Sequence, residues 1–297
     1  MQDQAKAYLY ALSTVLIWST VATAFKLSLR SLSVVQLLFL SCLVSVAVLI
    51  CIVALQGKLG RLRSLSRRDL LLSAVLGLLN PFSYYLVLFQ AYDILPAQEA
   101  QPLNYTWAIT LSLLSVPLLG HRLRFFDLAG LFISYAGVYT ISTRGALLDV
   151  SFSHPFGVSL ALGSTVIWAL YWIYNTKDRL DASLRLLLNF AFGTLYIGLV
   201  FFLSGETLPL AWPGLLGAAY VGAFEMGVTF VLWSLALKLT DSTAKVSILI
   251  YLSPFLSLFF IRLFVGEVIL ASTIAGLGLI VAGIGLQQWG GLRPAKA

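Results

Sequence analysis

The sequence predicts an all-α polytopic membrane protein of ten transmembrane helices, built as two inverted five-helix repeats, and three observations carry that prediction. The first is composition. Of 297 residues, 60% are hydrophobic and 10% charged, with a mean hydropathy of +0.94, whereas soluble domains run at roughly 45–50% apolar and about 25% charged. So few charges cannot cover a water-soluble surface. The second is length: a bilayer core of about 30 Å takes about 20 apolar residues per helix, which leaves room for about ten spans joined by short loops. The third is an internal duplication. Leu103-Asn104-Tyr105-Thr106-Trp107 returns loosely as Leu249-Ile250-Tyr251-Leu252-Ser253-Pro254, an offset of 146 positions. The same offset carries Gly120 to Gly266, Gly130 to Gly276 and Gly137 to Gly283, and sets Glu99 against Lys245.

Taken in order, the apolar runs between charged and Gly/Pro punctuation put spans at 7–27, 34–55, 70–92, 97–119 and 127–143, within a first repeat of residues 1–146. The second repeat, residues 147–297, holds spans at 156–176, 184–204, 213–237, 243–264 and 270–289. Lys6 and the apolar run ending near Ala22-Thr23-Ala24 have the form of a cleavable signal. However, Ser13-Thr14-Val15-Leu16-Ile17-Trp18 recurs, one residue shorter, as Ser164-Thr165-Val166-Ile167-Trp168, so the first span belongs to the bundle. Five spans is an odd number, so the second repeat enters the membrane from the opposite side, the arrangement associated with alternating access. Cys42 and Cys51 lie nine residues apart in one helical run, point to opposite faces and cannot bridge each other.

Charge gives the orientation. Lys6, Lys58, Arg61, Arg63, Arg67, Arg68, Arg122, Arg124, Lys177, Arg179, Arg185, Lys238, Arg293 and Lys296 fall on one side, fourteen in all; only Lys26, Arg30, Arg144 and Arg262 fall on the other. That asymmetry puts both termini in the cytoplasm. The net charge of +7 resides in these short loops and is explained by insertion, which excludes a nucleic-acid partner.

Polar groups at mid-span line a cavity or meet a partner, because hydrocarbon offers them nothing. Asn80-Pro81 stands mid-way along the third span with Tyr84 one turn on; Pro81 frees a carbonyl, either as a substrate-facing kink or as a packing kink. Glu225, half-way along the eighth span, is a site for a substrate ammonium or a coupling proton, or a carboxyl hydrogen-bonded within the bundle. Tyr105, Trp107, Trp168, Tyr171, Trp172 and Tyr251 lie deeper than an interfacial aromatic belt explains and suit a cavity that accepts apolar or aromatic groups. Glu99 and Lys245 either snorkel to opposite interfaces or serve as gates. The glycines at seven-residue spacing are expected to pack spans five and ten together. No nucleotide-binding loop, nucleophile elbow or metal-spaced His/Cys cluster occurs, so neither an enzyme nor a cofactor is expected.

Two five-span halves, the Ser-Thr-Val openings with Lys26 near the end of the first span, Tyr251-Leu252-Ser253-Pro254-Phe255, and the Gly-rich fifth and tenth spans together resemble the EamA family of the drug/metabolite transporter superfamily. Asn104-Tyr105-Thr106-Trp107 and Phe224-Glu225-Met226-Gly227 to Leu232-Trp233 are most similar to its exporters of aromatic amino acids. The resemblance implies a bacterial inner-membrane secondary transporter exporting amino acids of broad range, aromatic and neutral, around a central cavity. The mid-span reading gives as site residues Asn80, Tyr84, Tyr105, Trp107, Trp168, Tyr171, Glu225 and Tyr251, with Pro81, Pro254, Glu99 and Lys245 as kinks or gates and a proton as a candidate coupling ion. One departure stands out: Trp107 is followed by Ala108 where the second half has Pro254, so the first half is expected to lack a helix break at that depth. An anionic substrate such as a nucleotide sugar would need cavity-facing basic groups, and only Lys26 and Lys245 come near. A non-transporting scaffold or receptor would share the same plan.

Overall fold

Among the described residues, eight helical stretches are long and apolar enough to cross a bilayer, and a further apolar stretch, Leu249–Val265, is shorter. The computed structural model describes residues 2–120, 125–148, 154–175, 180–208, 211–240, 246 and 248–291, and all regular structure among them is helical. In chain order the helices are α1 (Gln2–Ser28), α2 (Val34–Leu55), α3 (Arg67–Gly77), α4 (Tyr84–Ile94), α5 (Ala97–Tyr105), α6 (Trp107–Leu119) and α7 (Phe125–Ser142). They continue as α8 (Pro155–Asn175), α9 (Ala182–Leu203), α10 (Trp212–Tyr220), α11 (Thr229–Leu239), α12 (Leu252–Phe260) and α13 (Ala271–Gly291). Short π-helical segments join α3 to α4 (Leu78–Ser83) and α10 to α11 (Val221–Val228) and extend α12 (Ile261–Val265); a 3-10 turn, Ile248–Tyr251, precedes α12.

Starts and stops follow local chemistry. Ser33 with Gln36, and Ser66 with Asp69, form reciprocal capping boxes ahead of α2 and α3, satisfying donors that a helix start leaves open. The repeat mates Gly120 and Gly266 both terminate their helices in the left-handed region, at φ 73° and 83°, where a side chain would be strained. Outward faces remain apolar, Phe132, Phe202, Leu203 and Leu195 among them, as a lipid-facing surface requires.

Packing pairs the elements across the chain. Gly130 lies against Gly283 and Gly137 against Gly276, so α7 and α13 run antiparallel with backbones in close approach, the expected role of these glycines. The α2–α9 pair is antiparallel too: Phe39 stacks on Phe201 at 4.8 Å and Lys58 meets Asp181 at 2.7 Å at the other end. Trp18 of α1 faces Trp233 of α11 at 5.6 Å, while Tyr84 of α4 faces Trp168 of α8 at 4.5 Å.

The expectation of a continuous helix over 97–119 is corrected. The stretch breaks at Thr106, whose N–H and Oγ1 both donate to the Leu103 carbonyl, at 3.2 and 2.7 Å, while Ile109 N–H turns back to Thr106 O at 3.0 Å. These are i→i−3 bonds in place of i→i−4, and the hydroxyl competes with the helix ladder for a carbonyl. The first half therefore has its break without a proline at 108, at the depth where the second half has its 3-10 turn; Pro254 lies buried inside α12. In the third span, Asn80 adopts φ −143°, ψ 118°, the extended geometry favoured before a proline. The eighth span is loosened at the matching depth, and its carbonyls are met by Ser41 Oγ on Ala218 O (3.1 Å), Ser45 Oγ on Met226 O (2.8 Å) and the Thr229 hydroxyl on Phe224 O, as a hydrocarbon setting demands.

Candidate functional site

The break at Thr106, the 3-10 turn before α12 and the loosened eighth span converge on a chamber of about 120 Å³, which the third-span break at Asn80 does not reach. Its wall holds Trp18 and Phe25 of α1, Tyr84 and Tyr92 of α4, Gln101, Asn104 and Tyr105 of α5, Trp107, Trp168, Trp172, Glu225, Phe230 and Trp233. A larger cavity of about 690 Å³ adjoins it, running along α6 from Trp107 to Leu119 with Leu237, Tyr251, Gln287 and Gln288 opposite. Tyr105, Trp107, Trp172, Trp233 and Ile250 belong to both walls, so aromatic rings form the partition. The larger cavity thus reaches the face at which α6, α11 and α13 end.

The polar groups of the chamber are few. Tyr85 Oη donates to Glu225 Oε1 at 3.1 Å and the Trp18 indole N–H also faces this carboxyl, whereas Glu225 Oε2 is buried and makes no hydrogen bond of normal geometry. Gln101 Oε1 is likewise buried and unpartnered. Tyr84 Oη donates to Asn104 Oδ1 at 3.3 Å, and Asn104 Nδ2 donates to Ser164 Oγ at 3.0 Å, so this amide is already engaged. No lysine, arginine or histidine lines either cavity among the described residues. A buried carboxylate without a cation is costly, so Glu225 either keeps its proton or gives it up to a positively charged group that docks there.

At the opposite face the bundle is sealed. Glu267 accepts from the N–H groups of Ala97 and Gln98 at 2.8 and 3.0 Å, capping α5 from across the molecule. Gln98 Nε2 donates to Val268 O at 2.8 Å, and its Oε1 accepts from Leu270 N and Thr273 Oγ1 at 2.9 and 3.1 Å. Lys26 Nζ holds the carbonyls of Tyr92 and Leu95 at 2.7 and 2.8 Å, and Arg30 reaches Val265 O at 2.7 Å.

Of the sequence-predicted residues, Tyr84, Tyr105, Trp107, Trp168 and Glu225 come together around the chamber, and Tyr251 lines the larger cavity, bonded to Gln288. Two do not join them. Asn80 is fully buried outside both cavities, because its extended backbone rotates it off the Tyr84 face. Tyr171 is 2% exposed and accepts from Asn189 Nδ2 at 3.3 Å behind the chamber wall. Pro81 packs on Gly193. Glu99 does not snorkel: it is 1% exposed and paired with Arg144 at 2.8 Å. Lys245 lies outside the described residues. Sequence reasoning missed Trp18, Gln101 and Trp233; Trp18 was findable, as it is the repeat mate of Trp168.

A bundle of apolar helices around an internal compartment is the build of a multi-pass integral membrane protein. The sequence model of the EamA-like transporter family matches residues 5–143 and 155–287, and the chain belongs to that family of membrane transporters. Among its relatives, an uncharacterized transporter, YvbV, of Bacillus subtilis (strain 168) is 27% identical over 214 residues, 71% of this chain and 69% of that protein. An uncharacterized transporter of Archaeoglobus fulgidus is 28% identical over 86% of this chain and 88% of its own length. The aromatic amino acid exporter YddG of Ancylobacter novellus is 26% identical over 59% of this chain and 61% of its own. A crystal structure with 23% identity superposes with a TM-score of 0.65, covering 96% of this chain and 97% of that one, and shares the fold.

Proposed function

We propose that the chain is a secondary transporter of the bacterial inner membrane that exports amino acids and related small metabolites, aromatic ones included, by alternating access between two inverted halves, residues 1–146 and 147–297. The observation that carries this reading is the chamber: aromatic groups from both halves surround a compartment with a wide route to one face and a hydrogen-bonded seal at the other. The antiparallel course of repeat mates, α2 with α9 and α7 with α13, supports inversion, and the match of the family model to two separate segments supports duplication. The larger cavity lies at the lysine- and arginine-rich ends of the helices, which the charge asymmetry assigns to the cytoplasm. On this reading the molecule is caught open to the inside, ready to load.

The absence of basic groups from the described cavity lining favours amino acids and their relatives over sugar phosphates. The test is counterflow of labelled phenylalanine and threonine in proteoliposomes, with and without a proton gradient. Saturable uptake is expected; no uptake of any of the common amino acids would end this reading.

A further inference from the structure

The chamber holds one carboxyl, that of Glu225, and no cationic side chain among the described residues. We propose that it recognises the ammonium end of its substrate alone, so that amines lacking a free carboxylate, carried on an aromatic or apolar body, occupy it in preference to the amino acids themselves. This deepens the transport reading and rests on the chamber being the transport site.

Three features of the wall point the same way. Glu225 Oε2 and Gln101 Oε1 are both acceptors, both buried and both unpartnered, and an ammonium brings the donors they lack. Rings crowd the same space: Trp168 lies 4.5 Å from Tyr84, 5.8 Å from Trp172 and 6.1 Å from Phe230, and Trp18 lies 5.6 Å from Trp233. Their faces attract a cation as well as an apolar body. For a carboxylate the described wall offers little. Its donors are neutral: Asn104 Nδ2 is engaged with Ser164, and Gln101 Nε2 and the indole N–H groups of Trp107, Trp168, Trp172 and Trp233 offer no positive charge to pair with. An amino acid entering this space would bring its own carboxylate beside that of Glu225, and two like charges in a poorly solvated site repel. A carboxylate buried without a cation forfeits what the ammonium gains.

The experiment uses the full chain in proteoliposomes and three probes with one phenyl body: phenylalanine, 2-phenylethylammonium, a primary amine protonated at neutral pH, and 3-phenylpropionate. Each competes against labelled phenylalanine counterflow, and each is also titrated against detergent-solubilised protein by quenching of the chamber indoles. The cation is expected to half-saturate at a concentration at least about tenfold below that of phenylalanine, with the propionate without effect. Glu225→Gln should remove that advantage, and Glu225→Asp, which keeps the charge, should retain its direction. Transport of phenylalanine with the cation equal or weaker overturns the inference and leaves the transport reading standing. Tight cation binding with no transport of any probe supports the inference and sinks the transport reading. A ranking unchanged in Glu225→Gln overturns the assignment to this carboxylate.

Discussion

Truncating Gln98 tests whether the hydrogen-bonded seal holds one access state. The side chain is 6% exposed and makes three bonds to the segment Val268–Thr273. Each is worth about 0.5–1.5 kcal/mol net, so Gln98→Ala removes about 1.5–4.5 kcal/mol of contacts. If those bonds exist only while this face is closed, the share of molecules open there rises by about ten- to a thousandfold, at about 1.4 kcal/mol per decade. The reporter is Leu88→Cys, a chamber residue 2% exposed, in a background where Cys42 and Cys51 are serine. A membrane-impermeant thiol reagent is applied from the outside of oriented vesicles. Labelling should accelerate at least about tenfold with Gln98→Ala, and Glu267→Gln should act in the same direction. Unchanged labelling of a folded Gln98→Ala protein would show that the contacts persist in both states and that the gate lies elsewhere.

Three further outcomes follow from the same geometry. Trp107→Ala opens the partition between the two cavities and should cut phenylalanine counterflow while leaving the yield of folded protein unchanged; wild-type flux would remove Trp107 from the pathway. Gly137→Val drives a side chain into the backbone of Gly276, overpacking that should cost about 1–3 kcal/mol and lower the thermal midpoint in detergent, and an unaltered midpoint would contradict the close approach of α7 and α13. Burial pushes the Asp181 carboxyl up, but the Lys58 ammonium and the backbone N–H groups at the start of α9 outweigh it and hold it below the usual carboxylate range. Its contribution is therefore present above about pH 4 and is lost as pH falls through the lower folded value. Asp181→Asn should cost about 1 kcal/mol near neutrality and flatten that acid loss, as read from midpoints at neutral and acid pH; identical slopes would refute the pairing.

How much of the site was legible depended on which helices stay regular. Gly130, Gly137, Gly276 and Gly283 were readable as a packing surface because α7 and α13 are regular throughout. By sequence offset Gly130 is the mate of Gly276, yet in space it faces Gly283, because antiparallel helices cross their register. Tyr84, Tyr105, Trp107, Trp168 and Glu225 were readable because polar or amphipathic groups at mid-span need a reason to be there. Asn80 and Tyr171 satisfied the same rule and turned out to sit behind the wall. Facing is set by rotation about a helix axis, and the extended residue at Asn80 changes that rotation within one step of the chain. Thr106 gave no recognisable break signal, since a threonine mid-span bends a helix only when its hydroxyl finds a carbonyl to take. Glu99 found Arg144, which arrives 45 residues later on another segment.

By itself the sequence determined that this chain must live in a bilayer and which few polar side chains have to be accounted for in mid-membrane, and its 146-residue offset predicts one unit written twice. Those are matters of composition and period, and they hold whatever the packing. Only the tertiary structure decided which of these side chains share one chamber, that Gln98 and Glu267 tie α5 to the segment after α12 at one face while a larger cavity runs along α6 toward the other, and that Glu225 has no cation beside it among the described residues. Such properties depend on where broken helices point their residues, and that direction is fixed by contacts between segments far apart in the chain.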